Sequence, residues 1–163
     1  MGAFYRSQHE LLTIWKLGDA PNVNTFGLGS NGRYRSNVWN YPGYASLGAG
    51  RAEALSFHPT VKPLPMIVDA ILDVTHQGEI VLDPFGGSGT TLIAAERTGR
   101  IARLIEIDPK YVDVTLRRFI AETGEEPTLA ETGEAFSEVR SRRQSETGNP
   151  VSEPGPDSMW AIL

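Results

Sequence analysis

One stretch, residues 80–91, constrains the fold of this 163-residue chain more than any other. It begins with an apolar run, Ile80–Leu82, that is typical of a buried strand. A glycine-rich segment follows and leads into Thr90–Arg97, whose pattern favours a helix. This arrangement suits a nucleotide-like ligand, because glycines let the backbone approach the ligand and a helix N-terminus offers free N–H groups. We call Asp83–Thr91 the glycine turn.

Helices and strands alternate around the glycine turn. The predicted elements are a strand at Leu11–Lys16, a helix from Pro63 that is capped by Gly78, a strand at Glu79–Asp83, a helix to Thr98 with Gly99 as its stop, a strand at Ile101–Ile105, and a helix from Pro109 to Glu122. Strands joined by helices run parallel, so the pattern predicts an α/β fold with helices packed on a mostly parallel sheet. About three strands are fewer than the five or six of an average sheet, so the predicted sheet is partial.

The character of the chain changes after Gly124, so the predicted folded domain spans residues 1–124. In residues 125–143 we predict one exposed helix, over Thr128–Arg143. Residues 144–163 are rich in Pro, Gly, Ser and Glu and are predicted to be a disordered tail. Residues 1–120 hold 12 Lys and Arg against 11 Asp and Glu, while the remainder holds 3 against 9. The acidic balance therefore belongs to the C-terminal region.

Composition narrows the cellular setting and the kind of site. The absence of cysteine excludes disulfides and thiolate metal sites and fits a cytoplasmic protein. No run approaches the roughly 20 apolar residues that a membrane helix needs, and the N-terminus lacks a signal-peptide pattern. His9 and His58 have no metal-ligand spacing with other ligands, so we expect no metal site.

Three ligand classes compete for a strand, glycine turn and helix. A phosphate-binding loop of the triphosphatase type needs a Lys directly after its second glycine, and no Lys follows Gly89. A dinucleotide fold needs a third glycine, where this chain has Leu92. The remaining candidate is a cofactor with a ribose and no phosphate.

Acidic residues at two predicted strand ends fit such a cofactor. Asp83 suits an ammonium group, because a carboxylate pairs with a cation. Glu106 and Asp108 end the next strand, about where a ribose-binding acid is expected. S-adenosylmethionine has an amino group, a ribose diol and an adenine, and so uses all of these groups. The alternative is that Asp83 and Glu106 are ordinary strand-end carboxylates.

Three motifs carry a resemblance to a known family: His-Pro-Thr-Val-Lys-Pro at residues 58–63, Asp-Pro-Phe-Gly-Gly-Ser-Gly-Thr-Thr at residues 83–91, and Glu-Ile-Asp-Pro-Lys-Tyr at residues 106–111. In this order and spacing they resemble the C-terminal part of DNA methyltransferases that modify adenine N6 or cytosine N4, in the permuted β type. Residues 5–10 and 37–42 also resemble segments of that family, so the likeness covers most of residues 4–124. The fold it implies is a partial Rossmann-like, S-adenosylmethionine-dependent methyltransferase fold.

The resemblance implies a set of cofactor-binding residues: Thr60, Lys62, Asp83, Phe85, Gly86, Gly87, Ser88, Gly89, Thr90, Glu106 and Asp108. Within it, Asp83 faces the methionine amino group and Phe85 packs near the adenosyl part. Glu106 takes the ribose hydroxyls, with Asp108 as the fallback. Lys62 holds the methionine carboxylate, unless it is an ordinary solvated lysine.

The catalytic part of the family pattern is missing. These enzymes grip the flipped base with an Asp/Asn/Ser-Pro-Pro-aromatic tetrapeptide, and this chain has no Pro-Pro. In the permuted order that tetrapeptide precedes the cofactor motifs, so it is expected upstream, and no residue here is assigned as catalytic. We therefore expect the cofactor-binding half of a site-specific DNA methyltransferase of restriction-modification type, with the N-terminal half or a partner subunit as its partner. The alternatives are a non-catalytic remnant or split subunit that binds cofactor or DNA, and a methyltransferase acting on protein or small molecules.

DNA contact is predicted for three arginines, Arg33, Arg35 and Arg51, in long loops rich in Gly and Asn. Phosphate contacts from arginine and base stacking from the nearby Trp39 and Tyr41 are natural in such loops. The equally open alternative is that Trp39 and Tyr41 pack in the core while the arginines are solvated.

Overall fold

The computed structural model describes residues 9–21, 23–25, 36–42 and 61–146. Within these ranges the elements are helix α1 (Leu64–Val74), strand β1 (Ile80–Asp83), helix α2 (Thr90–Thr98), strand β2 (Ile101–Leu104), helix α3 (Pro109–Thr123) and helix α4 (Phe136–Glu146). No helix in this described part is long and apolar enough to cross a membrane.

Strands β1 and β2 pair in parallel, as the sequence predicts. Ile80 stands opposite Ile101 and Asp83 opposite Leu104, and the Ile105 N–H donates to the Asp83 carbonyl at 2.9 Å. Helix α2 makes the crossover between the two strands, so both carboxyl ends lie at the same edge of the sheet. The predicted α/β fold with a parallel sheet is confirmed, and the glycine turn sits at that edge.

One face of the sheet is covered by α1 and α2. The centre of the core is formed by Ile71 of α1 with Ala94 and Ala95 of α2, all buried. The partly buried side chains around it are Leu64, Ile67, Val68, Val81 and Ala102. The two alanines allow α2 to lie close to both α1 and the sheet, because they add almost no bulk between the backbones.

The opposite face of the sheet is mostly apolar and exposed, with Arg103 on it opposite Leu82. Ile80 and Leu82 of β1 are 61% and 64% exposed, and Ile101 and Ile105 on the neighbouring segment are 41% and 60% exposed. We call these four side chains the open face. Parallel sheets are normally covered on both faces, so this chain presents a half-covered sheet.

Helix α1 ends differently from the prediction. Gly78 does not cap it, since the helix ends at Val74 and the next residue, Thr75, has an extended conformation. Arg100 replaces the expected glycine cap, because its guanidinium donates to the Thr75 carbonyl at 2.6 Å and to the Thr75 hydroxyl at 3.1 Å. Gly78 instead forms a turn from which its N–H donates to the Gly99 carbonyl at 2.8 Å. Gly99 itself caps α2 with a left-handed conformation, as predicted.

The predicted strand at Leu11–Lys16 is wrong. This segment has no regular secondary structure, and Leu11, Ile14 and Trp15 are among its exposed apolar side chains. Side chains with high β propensity form a strand only when a neighbouring strand accepts their hydrogen bonds, and none is provided within the described residues.

The C-terminal helix begins later than expected. Helix α4 starts at Phe136 rather than near Thr128, because residues 128–135 first turn back on themselves with Thr128 bridged to Ala135. The helix is not wholly exposed, since Phe136 and Val139 are buried. Residues 144–146 belong to α4 instead of the predicted tail, and residues 147–163 lie outside the described residues.

A salt bridge joins α2 to α3. The Arg97 guanidinium donates to the Glu122 carboxylate through Nε at 2.5 Å and through Nη2 at 2.9 Å. The hydrogen bond from Arg97 holds the pKa of Glu122 below its ordinary value of 4.5, and the charges of Arg97 and Arg118 act in the same direction. A carboxylate whose pKa is lowered by folding stabilises the fold above its unfolded pKa, and this contribution is lost as the pH falls through the folded value.

We expect Glu122→Gln to lower the free energy of unfolding at pH 7 by about 0.5 kcal/mol, a typical value for a largely solvated ion pair. The difference from the unmodified chain should shrink as the pH falls through the lowered folded pKa of Glu122, because protonation removes the charge that pairs with Arg97. Urea unfolding at a series of pH values from 7 downward measures this effect. Glu125→Gln, at an exposed position with the same change in charge, is the control. A deficit that does not shrink as the pH is lowered contradicts the assignment.

Candidate functional site

Asp83 connects the end of β1 to the start of α2. Its Oδ1 accepts the Phe85 N–H at 3.0 Å, and its Oδ2 accepts the Thr91 hydroxyl at 2.6 Å. The carboxylate is only half-buried. Each oxygen therefore keeps a lone pair for a ligand while the side chain is fixed at the sheet edge.

Glu106 connects the glycine turn to the segment after β2. Its Oε2 accepts the Gly87 N–H at 2.7 Å, and its Oε1 accepts the Asp108 N–H at 2.9 Å. One carboxylate thus holds the two loops that follow the parallel strands, and it lies at the same edge as Asp83.

Asp108 has a structural task. It is the N-cap of α3, and its Oδ1 accepts the Lys110 N–H at 2.9 Å. A side-chain oxygen in this position satisfies one of the free amides of the helix, while Pro109 pre-forms the first turn.

Two glycines of the turn occupy positions where a side chain does not fit. The Gly86 N–H donates to the Ile105 carbonyl at 2.9 Å, and a Cβ on Gly86 would lie 3.0 Å from the Leu104 side chain. Gly89 has a φ of 77°, and a Cβ there would lie 2.6 Å from Thr115 Cγ2. The turn is therefore pressed against β2 on one side and against α3 on the other.

Two residues outside the sequence motifs hold this turn. The Thr115 hydroxyl donates to the Gly87 carbonyl at 3.0 Å, and Arg118 Nη1 donates to the Ser88 carbonyl and, at 3.0 Å, to Ser88 Oγ. Thr115 and Arg118 lie almost thirty residues downstream of the turn. Their one usable signal is the i, i+3 spacing, which places them on one face of a predicted helix.

The structure brings most of the predicted cofactor residues together. Those assembled at the edge of the sheet are Asp83, Phe85, Gly86, Gly87, Ser88, Gly89, Thr90, Glu106 and Asp108. Phe85 in the turn is 86% exposed, and Ile107 in the loop after β2 is 97% exposed.

Lys62 has another partner. Its ammonium donates to Glu10 Oε2 at 2.5 Å, and this hydrogen bond, with the charge of Lys62, lowers the pKa of Glu10. The pair ties the segment before α1 to the N-terminal segment. Thr60 and the three arginines predicted to contact DNA, Arg33, Arg35 and Arg51, lie outside the described residues.

The aromatic pair near the predicted DNA loops packs within the protein. Trp39 and Tyr41 meet edge to face with 6.2 Å between ring centroids, and both are half-buried. The Tyr41 hydroxyl donates to Asp69 of α1. These contacts favour the packing interpretation over base stacking for the two rings.

A cleft of about 400 Å³ lies between α3 and α4, lined by residues that include Arg117, Ile120, Phe136 and Arg140. It shares no residue with the glycine turn. The described residues hold no group of three or more His, Cys, Asp or Glu side chains placed to bind a metal ion.

Comparison with known proteins decides the family. The model of a DNA methylase family, the N6 and N4 methyltransferases, matches residues 7–117. The chain belongs to this DNA methylase family. The predicted resemblance and the Rossmann-like methyltransferase fold class are thereby confirmed, with the parallel β1 and β2 as the part of that fold seen here.

Relatives of this DNA methylase chain are longer than it is. It is 40% identical over 82 residues to the DNA adenine methyltransferase YhdJ of Escherichia coli K12, which is 50% of this chain and 26% of the relative. It is 34% identical over 110 residues to the type II methyltransferase M.ScaI of Streptomyces caespitosus, which is 63% of this chain and 36% of the relative. The chain thus spans between about a quarter and a third of these proteins.

Solved structures also match part of the chain. A complex of M1.HpyAVI with S-adenosylmethionine is 39% identical, with 38% of this chain and 30% of that chain covered and a TM-score of 0.37. The cytosine-N4-specific PvuII DNA methyltransferase is 30% identical, with 52% and 29% covered and a TM-score of 0.39. At such TM-scores the fold is established by the strands and helices of this chain itself.

Gly89→Ala should lower the free energy of unfolding by clearly more than Gly124→Ala, which is the matched control. Both glycines have φ near 75°, so both substitutions carry a backbone cost of about 1 kcal/mol. Only the Gly89 Cβ meets Thr115, whereas nothing lies within 4 Å of a Cβ at Gly124. Thr115→Ala should relieve part of the Gly89→Ala loss in the double variant. Equal losses for the two single variants in urea unfolding would contradict the contact between turn and helix.

Proposed function

We propose that this chain supplies the cofactor-binding half of an enzyme that transfers a methyl group from S-adenosylmethionine to an exocyclic amino group of a DNA base, adenine N6 or cytosine N4. The observation that carries the proposal is the pair of carboxylates, Asp83 and Glu106, held at one edge of a parallel sheet on either side of the glycine turn. Family membership supports the reaction class.

The chemistry of the site fits a ligand with an amino group and a ribose. Asp83 offers a half-buried carboxylate to the methionine ammonium. Glu106 uses one lone pair of each oxygen on backbone amides, which leaves acceptors for the two ribose hydroxyls. The exposed Phe85 and Ile107 provide apolar surface for an adenine ring. Asp108 acts chiefly as the cap of α3.

Several parts of the proposed site extend beyond these two acids. The backbone of Gly86–Thr90 would line the cofactor, and Thr60 would join it from the segment before α1. Lys62 would bind the methionine carboxylate by exchanging it for Glu10, its present partner. Arg33, Arg35 and Arg51 would contact DNA phosphates.

The rest of the enzyme would come from another polypeptide segment. This chain has no Pro-Pro tetrapeptide, and it covers about a third or less of its relatives. The open face is the surface that such a segment would cover, because Ile80, Leu82, Ile101 and Ile105 are apolar and exposed on a parallel sheet. We propose as its occupant an N-terminal family segment that carries the catalytic tetrapeptide and further strands.

Asp83→Asn and Glu106→Gln should each weaken S-adenosylmethionine binding about tenfold or more, because each removes a charge that faces the ligand. Calorimetry on the chain together with an N-terminal family segment measures the affinity. Glu96→Gln, at an exposed position on α2, should bind like the unmodified chain. A folded, complemented sample that binds no cofactor would refute the proposal.

Leu82→Glu should block complementation and leave the isolated chain folded, because the side chain is already 64% exposed there. Transfer of labelled methyl groups to DNA reports assembly, and digestion to nucleosides identifies N6-methyladenine or N4-methylcytosine. Val74→Glu, at an exposed apolar position on α1 away from the open face, is the control and should retain transfer. Methyl transfer by the chain alone would exclude both the half-enzyme and the non-catalytic alternative.

The non-catalytic alternative is favoured by one observation, the missing tetrapeptide. It predicts cofactor binding without methyl transfer even when the N-terminal segment is supplied. The same labelled assay therefore separates a split enzyme from a binding remnant.

A further inference from the structure

The glycine turn is restrained at many polar groups of its backbone, and several of the restraints come from outside the motif. The amides of Phe85, Gly86 and Gly87 donate to Asp83, to the Ile105 carbonyl and to Glu106, respectively. The Gly89 N–H donates to the Gly86 carbonyl at 2.9 Å. These bonds fix the donors of the turn from the side of the sheet.

The carbonyls of the turn are fixed from the opposite side by α3. Thr115 binds the Gly87 carbonyl, and Arg118 binds both the carbonyl and the hydroxyl of Ser88. Thr115 and Ser88 are both buried, so these bonds are shielded from competing water. Both bonds come from Nη1 of Arg118, which carries two N–H groups on an always charged guanidinium, so this one nitrogen can bind two oxygens of one residue at once.

Holding the carbonyls also sets the direction of the neighbouring amides. In a trans peptide the C=O and the following N–H point in opposite directions. When Thr115 and Arg118 draw the Gly87 and Ser88 carbonyls toward α3, the amides of Ser88 and Gly89 must turn away from it. The helix therefore determines which way the turn presents its N–H groups.

We propose that α3 holds the glycine turn in its ligand-binding shape, with Arg118 and Thr115 acting as positioning residues for the cofactor. Neither side chain touches the ligand in this proposal. They act through Gly87 and Ser88, and the gain is pre-organisation, because a turn that is already ordered loses less conformational entropy on binding. The cofactor part rests on the proposed function, whereas the restraint on the turn does not.

The test uses the full chain with Arg118→Gln and Thr115→Val. Arg118→Gln removes the charge and the planar fork, and Thr115→Val removes the hydroxyl while keeping the shape of the side chain. Arg117→Gln is the matched control, because Arg117 is the adjacent arginine on the exposed side of α3 and pairs with Asp113. Arg118→Lys asks whether charge alone is sufficient.

Amide hydrogen exchange of Gly87 and Gly89 in the ligand-free chain is the first measurement. Arg118→Gln should speed this exchange about tenfold or more, Thr115→Val by a smaller factor and Arg117→Gln not at all, while the amides of the β1 and β2 ladder stay as protected as before. Equal acceleration of turn and ladder amides would mean that Arg118 merely stabilises the whole fold, and no acceleration would mean that it does not hold the turn. Either result overturns the proposal.

Cofactor affinity, measured by calorimetry with the N-terminal family segment present, is the second measurement. Arg118→Gln should raise the dissociation constant about tenfold, Arg118→Lys should restore part of that loss, and Arg117→Gln should have no effect. Faster turn exchange with unchanged affinity would refute the positioning role and leave the proposed function intact. If the unmodified complemented chain binds no cofactor, the proposed function fails, and the exchange data still decide whether α3 holds the turn.

Discussion

The rest of the site depends on the two hydrogen bonds that the Glu106 carboxylate accepts. It accepts the Gly87 N–H, nineteen residues before it in the sequence, and the Asp108 N–H, two residues after it. The glycine turn and the start of α3 are therefore held by one side chain. An unsatisfied, partly buried amide costs about 1–3 kcal/mol, and bonds to a charged acceptor are stronger than neutral ones. In the proposed function the same carboxylate also binds the ribose. Folding of the edge and recognition of the cofactor therefore share one group, which is why the Asp108 cap and the Gly87 amide form a single unit with it.

The second constraint is the half-covered sheet. Complete burial of an Ile or Leu side chain stabilises a fold by about 1.5–3 kcal/mol. The four side chains of the open face lack a large part of this stabilisation, because they are 41–64% exposed. Covering them would add several kcal/mol, which is comparable with the whole stability of a typical domain, about 5–15 kcal/mol. A polypeptide that covers the open face would thus stabilise this chain while it completes the enzyme, so assembly and folding would be thermodynamically linked.

Local signals predicted the part of the fold that is local. Strand β1, helix α2, strand β2 and helix α3 lie within a residue or so of their predicted bounds, because Gly99, Pro109 and Gly124 mark helix ends by their own backbone chemistry. The prediction failed where the outcome depends on a distant partner. Leu11–Lys16 has strand-forming side chains but pairs with neither β1 nor β2, and α1 is capped by Arg100 instead of the nearer Gly78.

The site divides in the same way. The family motifs assign Asp83, the glycines and Glu106, since these residues lie in short contiguous segments with a recognisable spacing. They do not assign Thr115 or Arg118, whose contacts with the turn exist only once α3 packs beside α2. Nor do they show that Asp108 is engaged as a helix cap or that Lys62 is paired with Glu10. The sequence motifs identify the groups that are proposed to contact the ligand, whereas tertiary packing determines which residues hold those groups in place.

The restraints on the glycine turn come from residues between Asp83 and Arg118, all within this chain. The frame of the proposed cofactor site is therefore complete in itself, whereas the sheet that carries it lacks a cover on one face. Under the proposed function, methyl-donor binding and base recognition would then be physically separable. A donor site whose turn is already held in place would need the N-terminal family segment only to bring the base to the methyl group.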